Sequence, residues 1–246
     1  MTKPNDPTID SVIASAEFKR NQIAARLNWL RAGVLGANDG IMSTSGLILG
    51  VAASPGVSTG TILVAGVAAV VAGSISMAGG EYTSVSAQRD SEKAALEVEK
   101  QELKDNPEGE LRELAWFYEQ KGLSPELAVK VADELTAKDA IKAHAEAELG
   151  ISSDHHVSPM QAAISSLVAF AGGGLLPLLA VSGPWIDYRI QATVAAVLVS
   201  LVITGFVGAK LGGAKPTKGI IRNVAVSVMT MGITYLIGSL VGTNLV

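Results

Sequence analysis

Long apolar blocks set the pattern of this chain. Five stretches, at about 32–53, 60–80, 160–181, 190–211 and 223–245, are apolar over the roughly 20 residues needed to cross a bilayer as a helix. Between the second and third blocks the pattern turns polar and helical. Val85, Leu96, Val98 and Leu103 recur among charges over 82–105. "DNPEGE" breaks that run at Pro107, and a second helix follows over 108–120 until "KGLS". Ser124 and Pro125 are a helix start, so a third helix is predicted over 125–136. A fourth covers 138–149 and stops at Gly150. No stretch shows strand alternation. Before the first block, Val12, Ile13, Ala16, Ile23, Leu27 and Leu30 fall at near-helical spacing, which predicts an amphipathic surface helix over 10–30 behind a short tail. The expected fold class is an all-α integral membrane protein. Five transmembrane helices are expected, with a helical domain inserted between helices two and three. The division is 1–30, 31–81, 82–156 and 157–246.

Charge orients the spans. Lys19, Arg20, Arg26 and Arg31 precede the first, and Lys210, Lys215, Lys218 and Arg222 separate the fourth from the fifth. "SPGVSTG" between the first two is uncharged, as is the C-terminal "GTNLV". Basic residues stay on the cytoplasmic side. The N-terminus and the insert are therefore expected inside and the C-terminus outside. Trp29, Trp185 and Tyr188 fall where aromatic rings settle at bilayer surfaces. The first thirty residues contain no apolar core long enough for a signal peptide, so the chain is expected to enter the membrane through its own first span. From Glu81 to His156 there are eighteen Asp and Glu against nine Lys and Arg, a balance of −9 in a chain of net charge −4. A negative insert repels nucleic acid and anionic lipid and suits cations. Cysteine is absent, which excludes a disulfide framework, a thiolate metal site and a cysteine nucleophile. No nucleophile–base pattern lies in the spans, so no enzymatic activity is expected.

Two sets of residues carry candidate chemistry. Asp39 lies inside the first span, eight residues beyond Arg31, where a carboxylate costs roughly 2.5–3.5 kcal/mol on insertion scales. Such a residue either stays wet near a surface or faces a water-filled path or a cation. In the insert, Glu99 and Glu102, Glu110 and Glu113, and His144 and Glu148 are pairs three or four apart, each on one helix face. Like charges at that spacing need a cation or a base. Helical carboxylate pairs with histidine hold divalent iron or manganese in bundles. Lys100, Lys104 and Arg112 could equally neutralise them as salt-bridge partners. His155 and His156 read as a solvated pair. The many span glycines read as helix-packing positions, and Pro177 is expected to kink or break its helix.

The segments "GANDGIMSTSGLILGVAA", "AGSISMAGGEYTSVSAQRDSE", "PEGELRELAWFYEQKGL" and "AELGI", in this order, resemble the vacuolar iron transporter family in its bacterial form. The resemblance runs over nearly the whole chain after about Leu30, and "SISMAGGEY" is its most specific part. It implies a homodimer of five-span subunits, each with a cytoplasmic metal-binding domain. It further implies export of ferrous iron, and possibly manganese, in exchange for protons, with no permanently bound cofactor. Carried over residue by residue, the transport path falls on Asp39 and Met77. Met42, three residues from Asp39, and Glu81 are added as candidates on the same path. The domain's glutamate ligands fall on Glu99, Glu102, Glu110, Glu113 and Glu148, with His144 where plant-type members carry a methionine. That histidine keeps a donor but makes it harder and pH-sensitive, which favours manganese. Ala69 stands where plant-type members carry a glutamate. The implied location is a bacterial plasma membrane, or a vacuolar membrane in a eukaryote. The rival reading is a membrane-anchored metal sensor or store that does not transport. A helical anchor whose acidic insert recruits protein partners ranks below it.

Overall fold

The computed structural model describes residues 33–151 and 158–245. The amphipathic helix expected over 10–30, with Trp29, and the pair His155 and His156 lie outside them. The chain forms two compact units, one made from the residues up to Tyr82 and from Pro159 onward, the other from Thr83–Ser158.

Among the described residues, five helices are long and apolar enough to cross a membrane. They are α1 (Gly33–Ala52), α2 (Thr59–Asp105, shared with the second unit), α5 (Pro159–Val181), α6 (Arg189–Leu211) and α7 (Pro216–Leu245). A single 3-10 turn, Ile186–Tyr188, precedes α6. Glycine positions these helices by backbone contact. A Cβ at Gly40 would overlap the carbonyl oxygen of Phe170, and one at Gly173 would overlap that of Ala37, so α1 and α5 touch main chain to main chain. On another side, a Cβ at Gly238 would overlap the carbonyl of Gly50, and Ser54 Oγ donates to the Gly238 carbonyl at 3.1 Å. In lipid no hydrophobic drive pulls helices together, so van der Waals contact of this closeness is what holds them. Around it, Ile41 and Leu49 of α1, Val197 and Leu201 of α6, and Met231 of α7 form a buried cluster.

Three expectations change. The second span and the first helix of the insert are one 47-residue helix, α2. The polar stretch after Met77 carries no proline, and its glycines and serines do not end the helix, which runs on to Asn106 and Pro107. The fifth span begins earlier than its apolar run, at Pro216, because proline fits a first helical turn and Lys218 and Arg222 are good helix formers. Pro177 does not break α5, which continues through it to Val181.

The second unit consists of α2 beyond Tyr82, α3 (Pro107–Gln120) and α4 (Pro125–Ala147). Asn106 caps α3 by accepting from Gly109 N at 3.1 Å, and Gly122 turns the chain at φ +97°. Ser124 caps α4. The two helices predicted over 125–136 and 138–149 appear as α4 with a break at Asp139 (φ −166°, ψ 94°), whose carboxylate accepts from Lys142 N at 3.0 Å. Asp139 thus acts as an internal N-cap and re-aims the last two turns. Leu114, Ala115, Ala128, Ala132 and Ala143 form the core between α3 and α4.

Candidate functional site

Each helix of the second unit delivers part of one cluster. α2 brings Glu99, α3 brings Glu110, and the last turn of α4 brings His144 with Glu148 as its C-cap. Nδ1 of His144 lies 2.9 Å from Glu99 Oε1, 3.4 Å from Glu148 Oε2 and 3.8 Å from Glu110 Oε2. One donor atom each from Glu99, His144 and Glu148 fits within 4.8 Å of the others. His144 is fully buried and Glu99 is 2% exposed. Despite this burial, His144 Nε2 has no hydrogen-bond partner among the described residues, and Glu99 Oε1 meets only the Nδ1 of His144. A buried polar atom without a partner is costly and rare.

The bases nearby in sequence do not relieve the cluster. Lys100 pairs with Glu97 at 2.5 Å, Lys142 with Glu146 at 3.9 Å, and Arg112 Nε donates to the Glu108 carbonyl at 3.1 Å. Burial, then the charge of Glu148, pushes the Glu99 carboxyl up to about 7; His144 opposes this, and Glu110 and Glu102 add to it. Glu110 is also raised, first by burial and then by Glu113. Glu102 and Glu113 are exposed. They act on the buried carboxylates through charge while their own side chains stand in solvent. Of the six residues singled out in the insert, four therefore converge and two stand at the rim. Oxygen donors with one imidazole suit ferrous iron or manganese, and a dication would favour the ionised form of Glu99 against the burial and the neighbouring carboxylates that raise it.

The membrane unit offers a second locus. Asn38, Asp39 and Met42 of α1 line a cavity of about 830 Å³ with residues of α6 and α7. The α1–α7 register explains which. Gly46 faces Thr230 and Gly50 faces Thr234, an offset of 184 residues, and the Ser54–Gly238 bond keeps it. The same offset sets Asn38, Asp39 and Met42 level with Arg222, Asn223 and Val226, and all six are on the cavity wall. On the α6 side, Thr204 Oγ1 and Asn38 Oδ1 are 2.6 Å apart. Leu35, Ser43 and Leu47 are exposed at four-residue steps through Asp39, so Asp39 lies on the open stripe of α1. Met77 and Glu81 are half-buried on α2 and do not line this cavity. Asn38, Thr204 and Asn223 were not singled out by sequence reasoning. Asn223, an amide that opens the fifth apolar run, was the available signal.

Comparison with known proteins agrees with the architecture. Residues 30–239 match the VIT family. A protein of Acanthamoeba castellanii named vacuolar iron transporter is 45% identical over 225 residues, covering 90% of this chain and 82% of its own length. Vacuolar iron transporter homolog 5 of Oryza sativa subsp. japonica is 34% identical, covering 94% of this chain and 89% of its own. Vacuolar iron transporter homolog 4 of Arabidopsis thaliana is 34% identical, covering 89% and 87%. With a family match across most of its length and relatives this similar end to end, the chain belongs to the VIT family, a family of membrane transporters and not of enzymes.

Proposed function

We propose that this protein transports divalent metal, ferrous iron or manganese, out of the cytoplasm in exchange for protons. The observation that carries the reading is the cluster of Glu99, Glu110 and Glu148 around the buried His144, with Glu99 and Glu110 buried beside it. A protein does not hold three carboxylates around one imidazole unless something cationic occupies them part of the time. The relatives are named for iron, and the donor set here admits manganese as well. In this reading the cluster gathers metal from the cytoplasm, and Asp39 receives it in the membrane. Proton and metal compete for the Asp39 carboxylate, so uptake of one releases the other. Met42, on the same wall, adds a soft thioether contact of modest affinity. The position of Asp39 on the open stripe of α1 favours a path completed by a second copy, a homodimer, in which Met77 and Glu81 of α2 also take part. Basic residues before α1 and between α6 and α7 favour a cytoplasmic N-terminus and insert. The membrane is then the plasma membrane in a bacterium or the vacuolar membrane in a eukaryote.

The test is metal-driven proton flux in proteoliposomes, with ferrous iron and manganese tried separately. Wild type shows opposing fluxes, Asp39→Ala abolishes them, and Glu99→Gln slows them while weakening binding. Binding to the cluster without any flux in wild type would leave a sensor or store in place of an exchanger.

A further inference from the structure

The α6–α7 connection and the first turns of α7 place three bases on one cavity wall, with Asp39 the one carboxylate among the described residues that line it. Lys215, Lys218 and Arg222 line the same cavity as Asp39, and none forms an ion pair or hydrogen bond with a described side chain. Lys218 and Arg222 are four apart on one face of α7. Beside this cavity is a second, of about 880 Å³, and Val34 and Thr204 form part of both walls. Its lining is almost wholly apolar, with Ile164, Val168, Ile203, Val207 and Leu211 among its residues. Ile164, Val168 and Ile203 are more than half exposed. One space thus carries three bases against a single carboxylate, Asp39, and its neighbour asks for hydrocarbon.

We propose that the paired cavities hold one anionic phospholipid, its phosphate between Lys215, Lys218 and Arg222 and an acyl chain in the apolar groove between α1, α5 and α6. Charge complementarity selects the headgroup, since a zwitterionic lipid offers no net charge to three cations. The apolar neighbour selects a lipid over a free phosphate, which would leave that groove unfilled. A basic residue near a membrane surface contributes roughly fivefold to anionic-lipid affinity. The three together set a preference on the order of a hundredfold, reduced where contacts are not independent. The headgroup site shares its cavity with Asp39, so a bound lipid phosphate and a metal at that carboxylate would influence one another.

The full-length chain, purified in neutral detergent, would be titrated with phosphatidylglycerol and with phosphatidylcholine and read by native mass spectrometry. Wild type is expected to retain phosphatidylglycerol at least tenfold more strongly. The triple variant Lys215→Gln, Lys218→Gln, Arg222→Gln loses that preference. A control with three bases of the second unit removed (Lys121→Gln, Lys130→Gln, Lys138→Gln) keeps it. Ile203→Trp, which fills the apolar groove, lowers retention several-fold while all the bases remain, so the idea survives a misfolded triple variant. Equal retention of the two lipids by wild type would overturn the proposal. So would equal loss in the control, or displacement of the lipid by millimolar inorganic phosphate, which would mark a free-phosphate site.

Discussion

Proton competition at Glu99 gives the sharpest quantitative test. Its carboxyl is pushed up to about 7 by burial and by the charge of Glu148. A divalent cation needs the ionised form, so binding must release that proton wherever the pH lies below about 7. At pH 5.5 only about one Glu99 in thirty is ionised, and at pH 7.5 about three in four. From this one group, affinity for manganese should be about 25-fold weaker at pH 5.5 than at pH 7.5. The sign for stability runs the other way in the metal-free protein. A carboxyl with a raised folded-state pKa stabilises below its unfolded value and loses that contribution as pH rises through about 7. The metal-free domain should therefore be more stable at pH 5 than at pH 8, and the metal-loaded one should reverse the trend. Calorimetric titration of manganese into the full-length chain across pH 5.5–7.5 measures the slope. The Asp39→Asn background removes the second carboxylate locus. Glu99→Gln should lower affinity by more than the 10–100-fold typical of losing a ligand's outer-shell partner. It should also flatten much of the pH dependence. An affinity constant across that range, or an unchanged slope in Glu99→Gln, would refute the reasoning.

Other outcomes follow from packing and capping. Gly40→Val drives side-chain atoms into the Phe170 carbonyl and should abolish a monodisperse preparation on size exclusion, whereas Gly172→Ala, with nothing within 4 Å, should leave the elution profile and thermal midpoint unchanged. Asp139→Ala removes the carboxylate that starts the last turns of α4. It should cost about 1 kcal/mol of stability, and because His144 lies in those turns it should weaken manganese binding several-fold in the same calorimetric assay. Ser124→Ala, capping the other end of α4, should cost a similar amount of stability by thermal melt yet leave manganese affinity intact.

Much of this architecture was legible in the residues. Five apolar runs gave five long helices because length and apolarity suffice for that inference. "DNPEGE", "KGLS" and Gly150 marked true helix ends because each supplies a cap or a positive φ. The continuity of α2 was harder to read, since a change from apolar to charged residues beside Gly79 and Gly80 mimics a boundary that the helix passes through. The break in α4 was visible, but its residue was not, because Asp139 looks like any other solvated acid until its carboxylate is seen on Lys142 N. The pairing of carboxylates at three- and four-residue steps pointed to the insert. Only packing separates buried Glu99 and Glu110 from exposed Glu102 and Glu113. The wall facing Asp39 was out of reach, because an offset of 184 residues between α1 and α7 is fixed by glycine contacts that no local pattern encodes.

Those glycine contacts also limit how the membrane unit can move. α1 meets α5 at carbonyl level through Gly40 and Gly173, and meets α7 through Gly50 and Gly238. A helix seated this closely on two neighbours cannot slide by a fraction of a turn or rotate alone without driving Cα atoms into carbonyl oxygens. Any rearrangement that moves α1 must therefore carry α5 and α7 with it as a rigid block. A movement of that block would resemble a rocking wedge more than a piston, and cross-links between α1 and α7 should leave it free.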